Sequence, residues 1–227
     1  DDEGWRVEIE KFPELTTFGA YHEFPYKNED GEYVEENYLM PSYNGGMDPE
    51  DMSSSANGHL TKEDYIEILK YAWERRISVI PEFDTPGHSR AAIKAMDKYA
   101  ERTGDDSYLL YDPEDTSDYC SVQYYKDNAL NVALPSTYRF IEEVFDALIA
   151  YHKEAGVPLP AIHVGGDEVA SGAWTGSPAC RKLMEERGWD NIELLKSYYI
   201  ENVLDIAEAK GVKIAGWQEV VMDLEDH

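Results

Sequence analysis

Beyond Gly58 the apolar residues form a pattern that recurs three times: a helical stripe, a stop, and a short apolar run. Tyr65, Leu69, Ala72 and Trp73 are spaced to share one face of a helix. Thr61 with Asp64 three residues on is a helix-start signal, because each side chain reaches the other's backbone N–H. Ile77-Ser78-Val79-Ile80 follows as a predicted strand. Ile141, Val144, Phe145 and Leu148 mark a second helix, expected from about Ser136 to a glycine stop at Gly156, and Ala161-Ile162-His163-Val164 reads as the next strand. Leu195, Tyr198, Tyr199, Val203 and Ile206 mark a third, which stops at Gly211 and feeds Val212-Lys213-Ile214-Ala215. Helix, glycine stop and buried strand in repetition is the signature of a parallel sheet covered by helices. The expected fold class is α/β.

The first 60 residues break this pattern. They carry 15 Asp and Glu against 3 Lys and Arg, with turn clusters at Asn28-Glu29-Asp30-Gly31, Asn44-Gly45-Gly46 and Ser53 to Gly58. Such a stretch reads as a solvated, loop-rich segment. Over all 227 residues, 20 basic and 47 acidic side chains give a net charge of −27. That balance cannot lay a basic stripe on a nucleic-acid duplex and repels anionic lipid, so neither nucleic acid nor membrane is an expected partner. No apolar run approaches the ~18–20 residues of a spanning helix, and the chain reads as soluble, with any export signal absent or removed. Hydrophobic content of 42%, with 17 Tyr, 6 Phe and 5 Trp, suffices for a sizeable core. Cys120 and Cys180 have no zinc-like spacing and leave both pairing and compartment open.

In parallel α/β folds the chemistry lies beyond the carboxyl ends of the strands, where the loops converge on one face. The three apolar runs are followed by Pro81-Glu82-Phe83-Asp84-Thr85-Pro86-Gly87-His88, by Gly165-Gly166-Asp167-Glu168 and by Gly216-Trp217-Gln218-Glu219. Carboxylates edged by an aromatic suit a sugar, whose C–H faces stack on indole and whose glycosidic oxygen needs a proton donor. Adjacent Asp167 and Glu168 repel, so one can be held protonated as a general acid while the other stays charged. Glycoside hydrolysis requires that division of labour. Asp-Glu pairs are also common on acidic surfaces, but a Gly-Gly step directly after a strand lets backbone approach a ligand closely.

Two motifs resemble nucleotide-protein signatures. Asp84-Thr85-Pro86-Gly87-His88 looks like a switch segment of translational GTPases, yet the chain has no Gly-x-x-x-x-Gly-Lys-Ser/Thr loop to cradle phosphates. Gly165-Gly166-Asp167-Glu168-Val169 looks like the diguanylate cyclase turn, with Val where Phe is expected. That rival predicts dependence on GTP and a divalent metal. His88 fits either a cap for the helix beginning near Ser89 or a partner for Asp84 and a catalytic carboxylate, and the second is favoured. His59, His88 and His163 fall into no metal-ligand pairing, so neither metal nor cofactor is expected.

Taken in order, these motifs resemble glycoside hydrolase family 20, the β-N-acetylhexosaminidases, and within it the bacterial chitobiase branch. The resemblance runs from Asp1 to about Val220. It rests on Asp1-Asp2-Glu3-Gly4-Trp5-Arg6-Val7-Glu8-Ile9, Pro13-Glu14-Leu15-Thr16, the stretch from Asp64 to Arg76, Val79 to His88, His163 to Glu168, and Trp217-Gln218-Glu219. It implies a (β/α)8 barrel and retaining hydrolysis in which the substrate's own 2-acetamido group is the nucleophile and closes to an oxazolinium ion. It also implies roles. Glu168 would be the general acid and then base, and Asp167 would hold the acetamido N–H. His88 with Asp84 and the Asp1-Asp2 pair would form a supporting network, Asp1 being favoured as the histidine's partner. Trp217 would wall the acetamido pocket, with Glu219 and His163 also placed among the sugar-binding residues. Trp174 would either line the mouth or belong to the core.

Measured against the family, strands before Asp1 and after His227 are missing, together with an arginine, two further pocket tryptophans and a Tyr/Asp pair. The expectation is therefore one barrel present in part, spanning about the second to fifth β/α units over residues 1–227, with residues 13–60 a loop-rich insertion after the first strand end. Its partners would be a GlcNAc-terminated oligosaccharide and the remaining strands or domains of a parent chain, in a secreted, periplasmic or cell-surface protein. The rival from another class is a fragment that binds acetamido sugars without cleaving them.

Overall fold

A computed structural model describes residues 1–20, 26–27, 33–34 and 58–222. A short helix α1 (Glu14–Thr17) is followed by β1 (Tyr26–Lys27) and β2 (Tyr33–Val34), which pair antiparallel. Apart from residues 18–20 and 58–60, the rest of the predicted insertion, including the three turn clusters up to Asn57, lies outside the described residues.

From there the helices follow the apolar stripes. Helix α2 (Lys62–Glu74) opens with a reciprocal capping box between Thr61 and Asp64, and it buries Tyr65, Ile66, Leu69 and Ala72. Trp73 departs from the expected stripe and is 44% exposed. After α3 (Arg90–Thr103), α4 (Pro135–Ala155) starts with Pro in its first turn and ends on Gly156 in the left-handed conformation. Helices α5 (Pro178–Arg187) and α6 (Leu194–Lys210) end the same way, on Gly188 and Gly211. A last short helix, α7, spans Gln218–Met222.

Three segments between these helices lie side by side and parallel. Strand β3 (Ile162–His163) pairs with β4 (Ile214–Ala215), and on its other side His163 bridges to Glu82. Backbone bonds from Phe83 N–H to His163 O and from Thr85 N–H to Val164 O, 3.1 and 3.0 Å, continue that ladder toward the strand ends. The strand expected over 77–80 is therefore displaced. Arg76 adopts φ 63° and the Ile77 N–H still returns to Ala72 O, so the chain is closing α2 there and joins the ladder only from Pro81. Ile77 and Ile80 are left exposed.

The core lies between this parallel ladder and α2 to α6. Phe83 packs on Phe145 with ring centroids 5.8 Å apart, and Trp5 packs on Phe140 at 6.0 Å. Burial of side chains this size contributes about 1.5–3 kcal/mol each, so the residue before Asp84 is firmly seated from beneath. No helix among the described residues is long and apolar enough to cross a membrane.

Candidate active site

The carboxyl ends of the three parallel segments meet at two glycines. Gly165 and Gly166 have φ 69° and 91°, and a Cβ on either would sit 1.7 Å from Asp84 Oδ1 or 2.1 Å from Val220 Cγ2. No other residue fits in that space. The chain therefore turns tightly against the neighbouring strand ends and lifts Asp167 and Glu168 over them. Glu168 itself has φ 50° and His88 φ 48°, left-handed conformations rarely seen in such residues and often found at functional sites.

Behind the glutamate lies a buried relay. Asp2, with no solvent exposure, accepts from the Arg90 backbone N–H at 3.0 Å and from the Asn128 side-chain amide at 2.9 Å, and its Oδ2 is 3.2 Å from His88 Nδ1. Across the ring, His88 Nε2 lies 3.4 Å from Glu168 Oε2 and 4.0 Å from Asp167 Oδ2. The hydrogen bond that His88 donates to Asp2, reinforced by the charges of Asp84 and Asp167, outweighs burial and raises the His88 pKa to about 9. His88 is an imidazolium at neutral pH. This corrects the expectation that Asp1 would be the histidine's partner: Asp1 faces solvent and its carboxylate accepts the Asp2 N–H at 2.7 Å, while the buried Asp2 meets the ring. The histidine caps no helix.

Asp84 accepts from Gly166 N–H at 3.3 Å. Burial, and then the charge of Asp167, push its carboxyl up to about 7, with His88 opposing. A carboxyl shifted toward neutrality thus lies below the Asp167-Glu168 step. Two groups, Asp1/Asp2/His88 and Asp84/His88/Asp167, bring three potential ligand atoms within 4.8 Å. Both groups share His88.

A cleft of about 470 Å³ opens above these groups, lined by Asp1, Glu3, Glu82, Asp84, His88, Gln123, Asp167, Glu168 and Trp217. Trp217 is 49% exposed, and its ring meets His163 edge-on at 5.0 Å. His163 Nδ1 in turn lies 3.1 Å from Glu82 Oε1. Of the other expected sugar contacts, neither His163 nor Glu219 lines the cleft: His163 stands behind Trp217, and Glu219 sits half-buried in the first turn of α7. Of the two places open to Trp174, mouth or core, it takes the core, with its indole N–H on Leu130 O at 3.0 Å. Three contributors escaped the sequence reading: Arg90, Asn128 and Gln123. Gln123 sits in a loop and donates to Glu168 Oε2 at 3.1 Å. Its spacing carried no periodic or motif signal.

The chain matches the model of the glycosyl hydrolase family 20 catalytic domain over residues 1–227. It is 41% identical to a beta-hexosaminidase of Vibrio vulnificus over 96% of this chain and 26% of that protein. It is 40% identical to beta-hexosaminidase B of Pseudoalteromonas piscicida over 99% of this chain and 28% of that protein. The crystal structure of a GH20 exo-beta-N-acetylglucosaminidase from Vibrio harveyi in complex with N-acetylglucosamine superposes with a TM-score of 0.73 at 36% identity, covering 96% of this chain and 29% of that one. The chain thus spans about a quarter to a third of the length of these relatives, and its α/β architecture is that of their barrel-type domain. On the match along its full length and the identity it shares with these enzymes, the chain belongs to glycosyl hydrolase family 20.

Proposed function

We propose that the protein carrying this chain removes terminal β-linked N-acetylhexosamine from chitooligosaccharides or glycans by a retaining, substrate-assisted mechanism. The observation that carries the reading is the pairing of Asp167 and Glu168 at the cleft. Glu168 is half-exposed, with Oε2 beside both an imidazolium and an amide, while the neighbouring Asp167 keeps a buried Oδ1 with no partner among the described residues. An acceptor placed there suits the N–H of a substrate acetamide.

In the first step the acetamido carbonyl oxygen attacks C1, and the C1–O bond to the leaving group breaks. Glu168 gives its proton to the departing oxygen, and the acetamide closes to an oxazolinium ion. Asp167 accepts the acetamido N–H and its negative charge balances the ring's positive charge. In the second step Glu168, now a carboxylate, takes a proton from water. The water oxygen bonds to C1 and the oxazolinium reopens, so two inversions give net retention. Trp217 supplies an apolar wall for the sugar. Asp84, near half-protonation at neutral pH, limits the negative charge packed beneath Asp167.

The same reading makes residues 1–227 the second to fifth β/α units of an eight-unit barrel, supported by three parallel strand segments in sequence order and by the length of the relatives. It also favours a secreted, periplasmic or cell-surface enzyme, because oligosaccharides and glycan ends of this kind are met outside the cytoplasm. The test is hydrolysis of aryl β-GlcNAc against aryl β-glucoside by the full protein. Cleavage of the first alone is expected, since only it carries the acetamide. Equal rates would overturn the substrate-assisted step, and binding of GlcNAc without turnover would indicate a sugar-holding protein.

A further inference from the structure

Glu168 Oε2 has two neighbours that can donate to it. One is His88 Nε2 at 3.4 Å; the other is Gln123 Nε2 at 3.1 Å, the shorter of the two. The amide must present its N–H₂ to the carboxylate, because the reversed amide would set carbonyl oxygen against carboxylate oxygen. Both donors fall on the same glutamate oxygen. With both donors set on Oε2, a proton on Glu168 is favoured on Oε1.

The loop around Gln123 is built to hold that geometry. Ser121 N–H bonds to Tyr125 O at 2.8 Å, Tyr124 N–H returns to Ser121 O at 2.9 Å, and Tyr125 N–H bonds to the Ser121 hydroxyl at 3.1 Å. Tyr124 takes φ 69° to close this turn. Ser121 and Tyr125 are buried at its base while Val122 and Tyr124 project outward at 59% and 67% exposure, so Gln123 alone at the tip turns toward the cleft. Its carbonyl Oε1 is buried and has no partner among the described residues.

We propose that Gln123 is a positioning residue for proton delivery: its amide fixes Glu168 Oε2, presents Oε1 to the departing oxygen, and leaves its own carbonyl for a hydroxyl of the bound sugar. The inference rests on Glu168 being the general acid. Its signature is a dependence on the leaving group. A poor leaving group needs a well-aimed proton to depart, whereas an activated one leaves without it. A residue that merely supports the fold would affect both alike.

The test compares kcat and KM of the full protein, Gln123→Met, Gln123→Ala and Glu168→Gln on aryl β-GlcNAc substrates whose leaving phenols range from unsubstituted to dinitro. Each variant is first shown to be folded by circular dichroism. Gln123→Met, which keeps the side-chain length, is expected to lower kcat/KM about tenfold for the unsubstituted phenol and less than about threefold for the dinitrophenol. Gln123→Ala should follow it, and Glu168→Gln should show the same slope more steeply. Equal losses across the series for both Gln123 variants, or no loss, while Glu168→Gln keeps its slope, would overturn the role of Gln123 alone. A flat series for Glu168→Gln would overturn the assignment of the acid and this inference with it.

Discussion

The wall behind the cleft and the lip in front of it each carry an aspartate, a second ionisable side chain and a tryptophan, under opposite exposure. Asp2, His88 and Trp174 are buried, with each polar atom bonded to protein. Asp1, Glu168 and Trp217 open to solvent and keep few protein partners. The difference separates two tasks. Groups in the wall set the position and charge of their neighbours, and groups on the lip are left unsatisfied enough to meet a ligand. Residue identity does not distinguish the two; burial does.

The tryptophans give the largest contrast. Trp174→Ala removes a core indole together with its bond to Leu130 O, and should cost about 3–5 kcal/mol of stability. Trp217→Ala should leave the urea midpoint nearly unmoved and raise KM for the acetamido sugar instead. If Trp174→Ala unfolds no more easily than Trp217→Ala, the division into wall and lip fails at its most buried member.

Next in size is Asp2→Ala. It strands the His88 imidazolium, the Asn128 amide and the Arg90 N–H in a buried setting, and breaking a buried ion pair from one side costs about 3–5 kcal/mol. The loss should sit toward the lower end because His88 can give up its proton once Asp2 is gone. Chemical denaturation at pH 6 and pH 9 checks this, with the larger deficit expected at pH 6, where wild-type His88 is fully charged.

How much of this was legible in the sequence depends on whether a feature is periodic. Helices α2, α4 and α6 announced themselves through apolar spacing and through Thr61, Gly156 and Gly211, because caps and stripes are local physics. Helix α5 buries only Cys180 fully and left no stripe to read. Asp167 and Glu168 were legible because a Gly-Gly step after an apolar run is unusual, and the structure shows why: Asp84 and Val220 occupy the space of any Cβ. The choice between Asp1 and Asp2 was not legible, since it turns on which of two adjacent carboxylates faces inward, and that is decided by Asn128 and Arg90 more than 85 residues away. Gln123 lay beyond reach for the same reason. The segment at 77–80 misled because an apolar run signals burial without saying where ladder bonding begins.

The two raised pKa values sharpen the comparison through pH. His88 rises from 6.5 to about 9, so its contribution to stability is complete below pH 6.5 and is lost as pH climbs through 9. Asp84 rises from 3.8 to about 7, so the fold holds its neutral form, and stability drains as pH climbs from 3.8 through 7. Asp84→Asn keeps the acceptor for Gly166 N–H and removes the titration. Melting temperatures between pH 4 and 9 should show the variant gaining on wild type up to about pH 7 and running parallel above it. A constant difference across that range would mean that Asp84 is not the group that titrates.

The smallest effect is expected from Asp1→Ala. Asp1 sits beside Asp2 in sequence and lines the same cleft, but the one hydrogen bond its side chain makes among the described residues is accepted from the Asp2 N–H, in contact with water. Water replaces that acceptor at little cost, so the stability change should stay within about 0.5 kcal/mol, as for other exposed positions. Its effect should appear in KM, through a lost contact to a sugar hydroxyl, with kcat held because the relay from Asp2 through His88 to Glu168 does not pass through it. A kcat loss comparable to that of Asp2→Ala would mean the two carboxylates act as one unit, and the boundary between wall and lip would have to be drawn outside both.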